Sequence, residues 1–292
     1  MRQSEAMRQS IRITLIAVGA ALCGAAGAVI LGSRAWHRET ARMAARVVAA
    51  GQDAPPRTFE PESLAGLPAP VVRYFAFALT PGQPLVRTAR VEHAGEFRTA
   101  PGAGWSPFRS VQHFSADPPG FVWDARIAMV PLLGVRVRDG YLGGEASMLG
   151  RVAALVPVVD QKGTPELAAG ALHRYLAESA WLPTALLPRE GLAWEAVDDS
   201  TARVTLTDSG IAVSLDAHFG PSGEIVRVEA ERYRDVDGVG ALTPFVGYFR
   251  HYAEVAGMRI PMEGEVEWIL PEGRFSYWRG RVERIEYDVG RS

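Results

Sequence analysis

The N-terminal part of the chain contains one apolar stretch of membrane length. Residues 13–32 (ITLIAVGAALCGAAGAVILG) carry no charged side chain, and twenty helical residues at about 1.5 Å each span the roughly 30 Å hydrocarbon core of a bilayer. The pattern predicts a transmembrane helix after a short tail at 1–12. A cleaved signal peptide is the alternative, because residues 26–28 (AGA) offer a cleavage site. The apolar run continues past that site, which favours a retained anchor.

Arginines flank this segment on both sides, at positions 2, 8 and 12 before it and 34, 38, 42 and 46 after it. The charge rule for orientation is therefore nearly balanced. We expect a single-pass protein of the cell membrane with an extracytoplasmic domain, because the N-terminal tail is short. Small residues at every fourth position could bring two such helices together in a homodimer, although an alanine-rich composition produces the same stripe by chance. These residues are Ala20, Gly24, Ala28 and Gly32.

Helical periodicity recurs at three places after the apolar segment. Residues 33–57 predict a helical stalk that ends in a Pro/Gly linker (GQDAPPR), so the folded domain is expected at 58–292. Residues 68–79 (PAPVVRYFAFAL) predict the first helix of that domain. A second helix is expected near 164–182, with Thr164 as N-cap and Pro165 at the first helical position. Pro183 ends it, because a residue that precedes proline avoids the α conformation.

The remaining segments alternate between apolar and polar residues, which is typical of strands. In GFVWDARIAMV, residues 120–130, Asp124 and Arg126 share the polar face and predict an outward ion pair. The apolar face of this strand carries Phe121, Trp123, Ala125, Ile127 and Met129. The order of elements is helix, four or five strands, helix, about six strands. It predicts a mainly β (α+β) fold: a curved antiparallel sheet, or incomplete β-barrel, wrapped around helices and preceded by one transmembrane helix.

The last two strands predict a hairpin with a defined register. A three-residue loop at 271–273 would place Leu270 opposite Arg274. Counting back pairs Glu267 with Tyr277, Glu265 with Arg279, Glu263 with Arg281, Val266 with Trp278, Trp268 with Ser276 and Gly264 with Gly280. Charged residues would then pair on the solvent-facing side of the hairpin, and tryptophans would lie on the core-facing side.

This order of helices and strands resembles the lipoprotein-carrier architecture (LolA/LolB-like), in which an incomplete barrel surrounds helices. The segments LPAPVVRYFAFAL, GFVWDARIAMVPLLGVRVRDGY, AWLPTALLP and GMRIP together resemble a family of uncharacterised bacterial membrane-associated proteins whose shared domain covers about residues 67–289. The resemblance implies the domain boundary and the fold. It implies no catalytic residue, because the family has no assigned activity.

Composition removes several classes of function. The net charge is −2 and the pI is about 6.3, which argues against a nucleic-acid partner. The single cysteine, Cys23, lies in the apolar segment, so the domain has no disulfide, cysteine nucleophile or cysteine-based zinc site. We find no phosphate-binding loop and no nucleophile elbow, and the six histidines are scattered. We therefore expect no metal site, no cofactor and no identifiable catalytic residues, and the sequence leans against an enzyme.

The aromatic residues suggest a ligand chamber. A plain hydrophobic core is the competing interpretation, because aromatic side chains also dominate ordinary cores. The proline-bracketed apolar segment TALL at 184–187 is expected to turn back as a short lid over the apolar face. The predicted lining consists of Phe121, Trp123, Met129, Tyr175, Trp181, Leu186, Leu187, Trp268 and Trp278. An anchored module that binds a lipid, a lipidated protein or another apolar ligand is the leading hypothesis. A structural or sensory interaction domain is the alternative, and an enzyme of unidentified class is the third.

Overall fold

The computed structural model describes residues 2–53, 55–130, 133–236 and 238–288. These residues form one 13-stranded antiparallel sheet in the order β6-β5-β4-β3-β2-β1-β13-β12-β11-β10-β9-β8-β7. The strands form two arms that meet where β1 pairs with β13, and three α-helices accompany the sheet. This architecture confirms the predicted fold class, an open curved antiparallel sheet around helices.

The helices are α1 (Arg2–Gln52), α2 (Ala69–Ala78) and α3 (Pro165–Glu178). One arm of the sheet contains β1 (Thr88–Phe97), β2 (Ser106–Ser115), β3 (Gly120–Val130), β4 (Leu133–Leu142), β5 (Glu145–Val152) and β6 (Val156–Lys162). The other contains β7 (Leu192–Ala196), β8 (Thr201–Asp208), β9 (Ile211–Phe219), β10 (Ile225–Val236), β11 (Val239–Val255), β12 (Met258–Leu270) and β13 (Gly273–Tyr287).

Helix α1 is continuous over 51 residues, and its apolar part is long and apolar enough to cross a membrane. Beyond that part the helix packs on the outer face of the sheet, where Trp36 and Val47 are buried. Gly51 lies inside the helix rather than in a linker. A Cβ atom at this position would lie 2.7 Å from the carbonyl oxygen of Arg87, so the close approach of helix and sheet requires glycine.

Helix α3 lies against the inner face of the sheet and contacts both arms. The Thr164 side chain accepts a 3.1 Å hydrogen bond from the backbone N–H of Leu167, and Pro165 occupies the first turn, which confirms the predicted start of the helix. Leu172 and Tyr175 are fully buried. The hydroxyl of Tyr175 donates 2.9 Å hydrogen bonds to the carbonyl oxygens of Ser115 and Ala116, which fixes the helix to the end of β2.

The segment that follows α3 packs against the sheet near the start of β1 and the end of β2. Residues Pro183–Leu186 form a 3-10 turn, and the Thr184 hydroxyl donates a 2.7 Å hydrogen bond to the carbonyl oxygen of Val86, just before β1. Ala185, Leu186 and Leu187 are buried. The segment is therefore part of the packed core.

The predicted register of the last hairpin is correct far from the turn and wrong near it. Glu263 lies opposite Arg281, Gly264 opposite Gly280, Glu265 opposite Arg279 and Val266 opposite Trp278. A β-bulge after Val266 then shifts the pairing by one residue, so that Glu267 faces Ser276, Trp268 faces Phe275 and Leu270 faces Gly273. The turn therefore has two residues instead of three, and Tyr277 is the extra residue of the bulge.

The expected outward ion pair between Asp124 and Arg126 is also wrong. Helix α1 covers this part of β3, and Asp124 Oδ1 accepts a 2.8 Å hydrogen bond from Nε1 of Trp36. Alternation along a strand predicts which residues share a face. It does not indicate that an N-terminal helix covers that face.

Candidate functional site

Aromatic side chains form a surface on the inner face of the sheet where its two arms meet. We call this surface the aromatic face; it consists of Phe97, Phe108, Trp123, Phe245, Trp268, Phe275, Tyr277 and Trp278. Rings in contact have centroids 5.4–6.2 Å apart, within the range of favourable aromatic pairs. They form two groups: Trp123, Phe108 and Trp278 in one, and Phe97, Tyr277, Phe275, Trp268 and Phe245 in the other. Most members are buried, but Phe97, Tyr277 and Trp278 are only partly buried. The aromatic face is therefore partly accessible.

The β-bulge in the last hairpin enlarges this surface. Because Tyr277 is the extra residue, it does not pair with Glu267 on the outer face. Its ring stacks on Trp268 with a centroid distance of 5.8 Å and an interplanar angle of 13°. Neighbouring Trp278 also contributes to the inner core. A regular strand would turn these two rings to opposite faces, so the bulge places two adjacent aromatic rings on one side.

A row of three glycines makes room for the deepest rings. Gly95, Gly280 and Gly264 lie directly opposite one another on β1, β13 and β12. A Cβ atom at Gly264 would lie 3.3 Å from the Trp181 ring and 3.4 Å from the Trp278 ring, and one at Gly280 would lie 2.7 Å from Trp278. The indoles therefore lie almost on the backbone of the sheet.

Three arginines stack on rings of the aromatic face: Arg174, Arg232, and Arg98, which lies 5.2 Å from the ring centroid of Phe275. Arg174 of α3 lies 4.8 Å from the Trp123 ring centroid and bonds both Asp139 (2.7 Å) and Glu178 (2.8 Å). Burial alone would lower the pKa of Arg174, but these two carboxylates raise it overall. Arg174 is thus permanently charged and fully compensated.

Arg232 is the second cation, and it has no carboxylate partner within the described ranges. Its Nε donates a 2.9 Å hydrogen bond to the carbonyl oxygen of Gly170, and its guanidinium lies 5.2 and 5.4 Å from the ring centroids of Phe245 and Trp268. Nη1 is 3.4 Å from the Tyr277 hydroxyl. A half-buried cation that is stacked on aromatic rings and lacks a counter-charge is suited to an anionic group.

A neutral histidine lies next to the glycine row. The ring of His93 is 4.7 Å from the Trp181 ring and 5.9 Å from the Trp278 ring. Neither ring nitrogen has a hydrogen-bond partner among the described residues. Burial, together with the positive charge of Arg174, lowers the pKa of His93 to about 3. His93 is therefore an uncharged polar group in an apolar site, which costs free energy of folding.

The predicted lining residues separate into three groups. Phe121, Trp123, Trp268 and Trp278 lie on the inner face near α3, in or beside the aromatic face. Tyr175, Trp181, Leu186 and Leu187 are 0–9 % exposed and belong to the packed core at the closed end. Met129 is 41 % exposed near the end of β3. Phe121, Trp123 and Trp268 are only 1–7 % exposed, so of the nine predicted residues only Trp278 and Met129 are accessible to any extent.

Sequence reasoning missed Arg174, Arg232, Tyr277 and His93. The sequence gives only a weak indication for Arg174: it lies four residues before Glu178 on a predicted helix, and oppositely charged side chains at this spacing attract each other. It gives none for Arg232 and His93, since each is one polar residue in an alternating strand. Tyr277 was placed on the wrong face because a bulge cannot be read from alternation.

The outer face of the same strands carries a shallow groove of 780 Å³. Arg250, Glu263, Glu265 and Arg279 are among its lining residues. Glu265 is bound by Arg250 at 2.7 Å, whereas Arg279 bonds Glu96 of β1. Arg109 and Arg126 line the same groove, so its arginines outnumber its carboxylates. In the part of the chain that the structure describes, no three His, Cys, Asp or Glu side chains gather as metal ligands.

Comparison with solved structures gives distant similarities, which include the following three. A LolA superfamily protein from Nitrosomonas europaea has 13% identity and a TM-score of 0.40, and the match covers 75% of this chain and 91% of that one. A DUF1329 family protein from Desulfovibrio piger has 13% identity, a TM-score of 0.39 and coverages of 71% and 88%. A β-barrel-like protein with the domain of unknown function DUF1849, from Brucella abortus, has 13% identity, a TM-score of 0.28 and coverages of 69% and 98%.

Comparison with curated proteins gives no match. Residues 65–287 match the family of unknown function DUF6920. The matched segment covers well over half of the sequence, starts just before α2 and ends with β13. The chain therefore belongs to the family of unknown function DUF6920.

Proposed function

We propose that this protein is a membrane-tethered binding module for an amphipathic ligand with a long apolar part and an anionic group. Lipids and lipidated proteins have this chemistry. The apolar part would lie on the aromatic face, and the anionic group would pair with Arg232. Helix α1 would hold the module at the cell membrane as a single-pass anchor, with the sheet on the extracytoplasmic side.

One observation supports this proposal above the others. Arg232 is a cation without a described carboxylate partner, and it lies 5.4 Å from the Trp268 ring centroid and 3.4 Å from the hydroxyl of the partly buried Tyr277. A folded chain does not need a half-buried charge over aromatic rings for stability, because desolvation of the charge costs free energy. A ligand carboxylate or phosphate would supply the missing counter-charge through strong, charge-assisted hydrogen bonds.

The direct test is binding of a fluorescent fatty acid, 11-(dansylamino)undecanoic acid, to the purified full chain in amphipol. We expect saturable binding that weakens about tenfold in Arg232→Gln, since a hydrogen bond to a charged group contributes about 1.5 kcal/mol or more. Arg227→Gln is the matched control, because Arg227 lies on the same strand but interacts with Glu229 at 3.3 Å. A neutral dansylated alkyl amide of equal length should bind to Arg232→Gln and to the parent protein equally.

Absence of saturable binding to the parent protein would contradict the proposal. It would favour the second candidate, an interaction domain that holds no small ligand. The observation in favour of that candidate is the filled interior at the closed end, where Trp181 is 3 % exposed and Leu182 is fully buried. In that case, self-association through Ala20, Gly24 and Ala28 becomes the principal hypothesis; Gly32, the fourth member of the predicted stripe, lies against Ala154 and Leu155 of its own chain.

A further inference from the structure

Four arginines lie side by side on the outer face of the sheet. Arg109, Arg126, Arg136 and Arg151 occupy directly opposite positions on β2, β3, β4 and β5; we call them the arginine row. Directly opposed residues of neighbouring strands share one face, and like charges at such positions destabilise a sheet. A row of four cations therefore needs negative charge from elsewhere.

The protein itself supplies little of that charge. Arg109 is 3.9 Å from Glu283, but this carboxylate already bonds Arg281 at 2.6 Å. Within the described ranges, Arg126 and Arg151 form no ion pair, and Nε of Arg151 is buried without a hydrogen-bond partner. The partner of Arg136 is the ring of His37, at 3.0 Å.

On the part of this face that α1 covers, the carboxylate next to the row is that of Asp124. It lies two residues before Arg126 on β3 and opposite Arg138 on β4. It already accepts the hydrogen bond from Trp36. Burial raises the pKa of Asp124 despite that bond and despite the nearby positive charges of Arg136 and Arg138. Asp124 is one carboxylate shared among Trp36, Arg136 and Arg138, so it offsets only part of the charge of the row.

The position of the row along α1 places it close to the membrane. A Cβ atom on Gly32, the last residue of the apolar segment, would lie 2.7 Å from the Leu155 side chain in the β5–β6 turn. His37, five residues later, reaches Arg136. Five helical residues correspond to about 7.5 Å, and the polar zone on each side of the hydrocarbon core is about 5 to 8 Å thick. Exposed Arg34 and Arg38 lie at the same depth.

Apolar side chains at the same end of the sheet agree with this depth. Met129 near the end of β3 and Leu155 after β5 are 41 % and 37 % exposed, and Val156 at the start of β6 is 60 % exposed. Leu155 contacts the end of the apolar segment at Gly32, Val156 is its chain neighbour, and Met129 lies near the end of β3. Exposed apolar residues beside a row of cations are typical of a surface that rests on a bilayer.

We propose that the arginine row binds the phosphate groups of anionic phospholipids in the leaflet next to the sheet. Guanidinium groups match phosphate oxygens in a bidentate geometry. A Cβ atom at Gly134 would lie 3.2 Å from Nε of Arg126. Because Gly134 has no side chain, Arg126 can extend towards the end of the strand. The proposal rests on residues 13–32 crossing the membrane, as the proposed function also assumes, but it concerns the opposite face of the sheet from the aromatic face.

The test is native mass spectrometry of the detergent-purified full chain, equilibrated with equal amounts of phosphatidylglycerol and phosphatidylcholine. We expect the parent protein to retain phosphatidylglycerol preferentially. Each basic residue near an anionic surface contributes about fivefold in affinity, so Arg109→Gln with Arg126→Gln should reduce the preference by roughly 25-fold. Arg203→Gln with Arg227→Gln is the matched control, because these arginines lie on the other arm of the sheet and pair with Asp216 and Glu229, and it should leave the preference unchanged.

Two outcomes would overturn the proposal. Equal retention of both lipids by the parent protein would show that the row does not recognise an anionic headgroup. Complete displacement of phosphatidylglycerol by excess inorganic phosphate would identify a site for soluble anions. The fatty-acid binding experiment tests the proposed function independently. Arg232→Gln should weaken fatty-acid binding and leave the preference for phosphatidylglycerol unchanged.

Discussion

The indole N–H of Trp36 donates a 2.8 Å hydrogen bond to Oδ1 of Asp124 and thereby joins the N-terminal helix to the third strand of the sheet. The guanidinium of Arg138 stacks on the same indole, 4.7 Å from its centroid, and its Nη1 also donates to the Thr40 hydroxyl at 3.1 Å. These contacts lie only four residues beyond the apolar segment. They make the outer half of α1 a structural part of the β domain.

Replacement of this donor should weaken the contact between helix and sheet. Trp36→Phe keeps most of the ring but leaves Asp124 without its donor, and we expect a loss of about 1 to 3 kcal/mol in the free energy of unfolding. Hydrogen exchange should increase selectively in residues 33–52. Trp105→Phe, at a partly exposed ring beside Arg98, is the matched control. Equal effects of both variants on helix exchange would contradict the prediction.

The glycine row can be tested by adding one methyl group. Gly264→Ala places a Cβ atom 3.3 Å from Trp181 and 3.4 Å from Trp278, and overpacking of this kind typically costs about 1 to 3 kcal/mol. Chemical denaturation should show the loss. Gly104→Ala is the control, because a Cβ atom there meets no heavy atom within 4 Å. A Gly264→Ala protein as stable as the parent would mean that the rings are not held against the backbone.

His93 predicts a specific dependence of stability on pH. The folded state has a pKa of about 3 at this ring, whereas the unfolded chain has about 6.5. Between these values the unfolded state binds more protons, so the free energy of unfolding decreases as the pH falls. From pH 7 to pH 5 the contribution of His93 is a loss of about 2 kcal/mol.

His93→Phe should remove this contribution. We expect the stability difference between His93→Phe and the parent protein to shift in favour of the variant below about pH 6.5. Denaturant melts at several pH values measure the slope, and a constant offset from altered packing does not affect it. Parallel stability profiles for the two proteins would show that His93 is not held neutral in the folded state.

The single cysteine offers a test of the anchor. In membranes, Cys23 should resist a membrane-impermeant maleimide until detergent is added, because it lies at the middle of residues 13–32. Ala35→Cys combined with Cys23→Ser is the control, since Ala35 is exposed beyond the apolar segment and should react from one side without detergent. The side of reaction also reports orientation. A mature N-terminus after residue 28 would show a cleaved signal peptide instead.

Much of the fold follows from periodicity and from end signals. Thr164 and Pro165 mark the start of α3, and alternation places Phe121 and Trp123 on the inner face because the side-chain period of a strand is two. The same alternation gives four correct pairs in the final hairpin. It fails between Val266 and the turn, because the inserted residue Tyr277 reverses the faces of the β13 side chains on the turn side of the bulge. The free energy of a bulge depends on packing against other strands, which alternation does not show.

The candidate site was harder to predict than the fold. Tryptophans are easily noticed in a sequence, but burial separates Trp181 in the closed core from Trp278 on the accessible face, and burial depends on long-range contacts. The arginines that define both proposals, Arg232 and the arginine row, look like ordinary solvent-facing residues of amphipathic strands. Only the pairing of strands aligns Arg109, Arg126, Arg136 and Arg151 in one row.

Helix α1 runs without a break from the apolar segment to Gln52, and its last two turns lie against the sheet. A continuous helix of this length behaves as a stiff rod, so the β domain would keep a fixed height and tilt above the bilayer. A freely diffusing carrier searches a volume for its donor and acceptor. This domain would search a plane by lateral diffusion, and it would meet only those partners that present their cargo at that height.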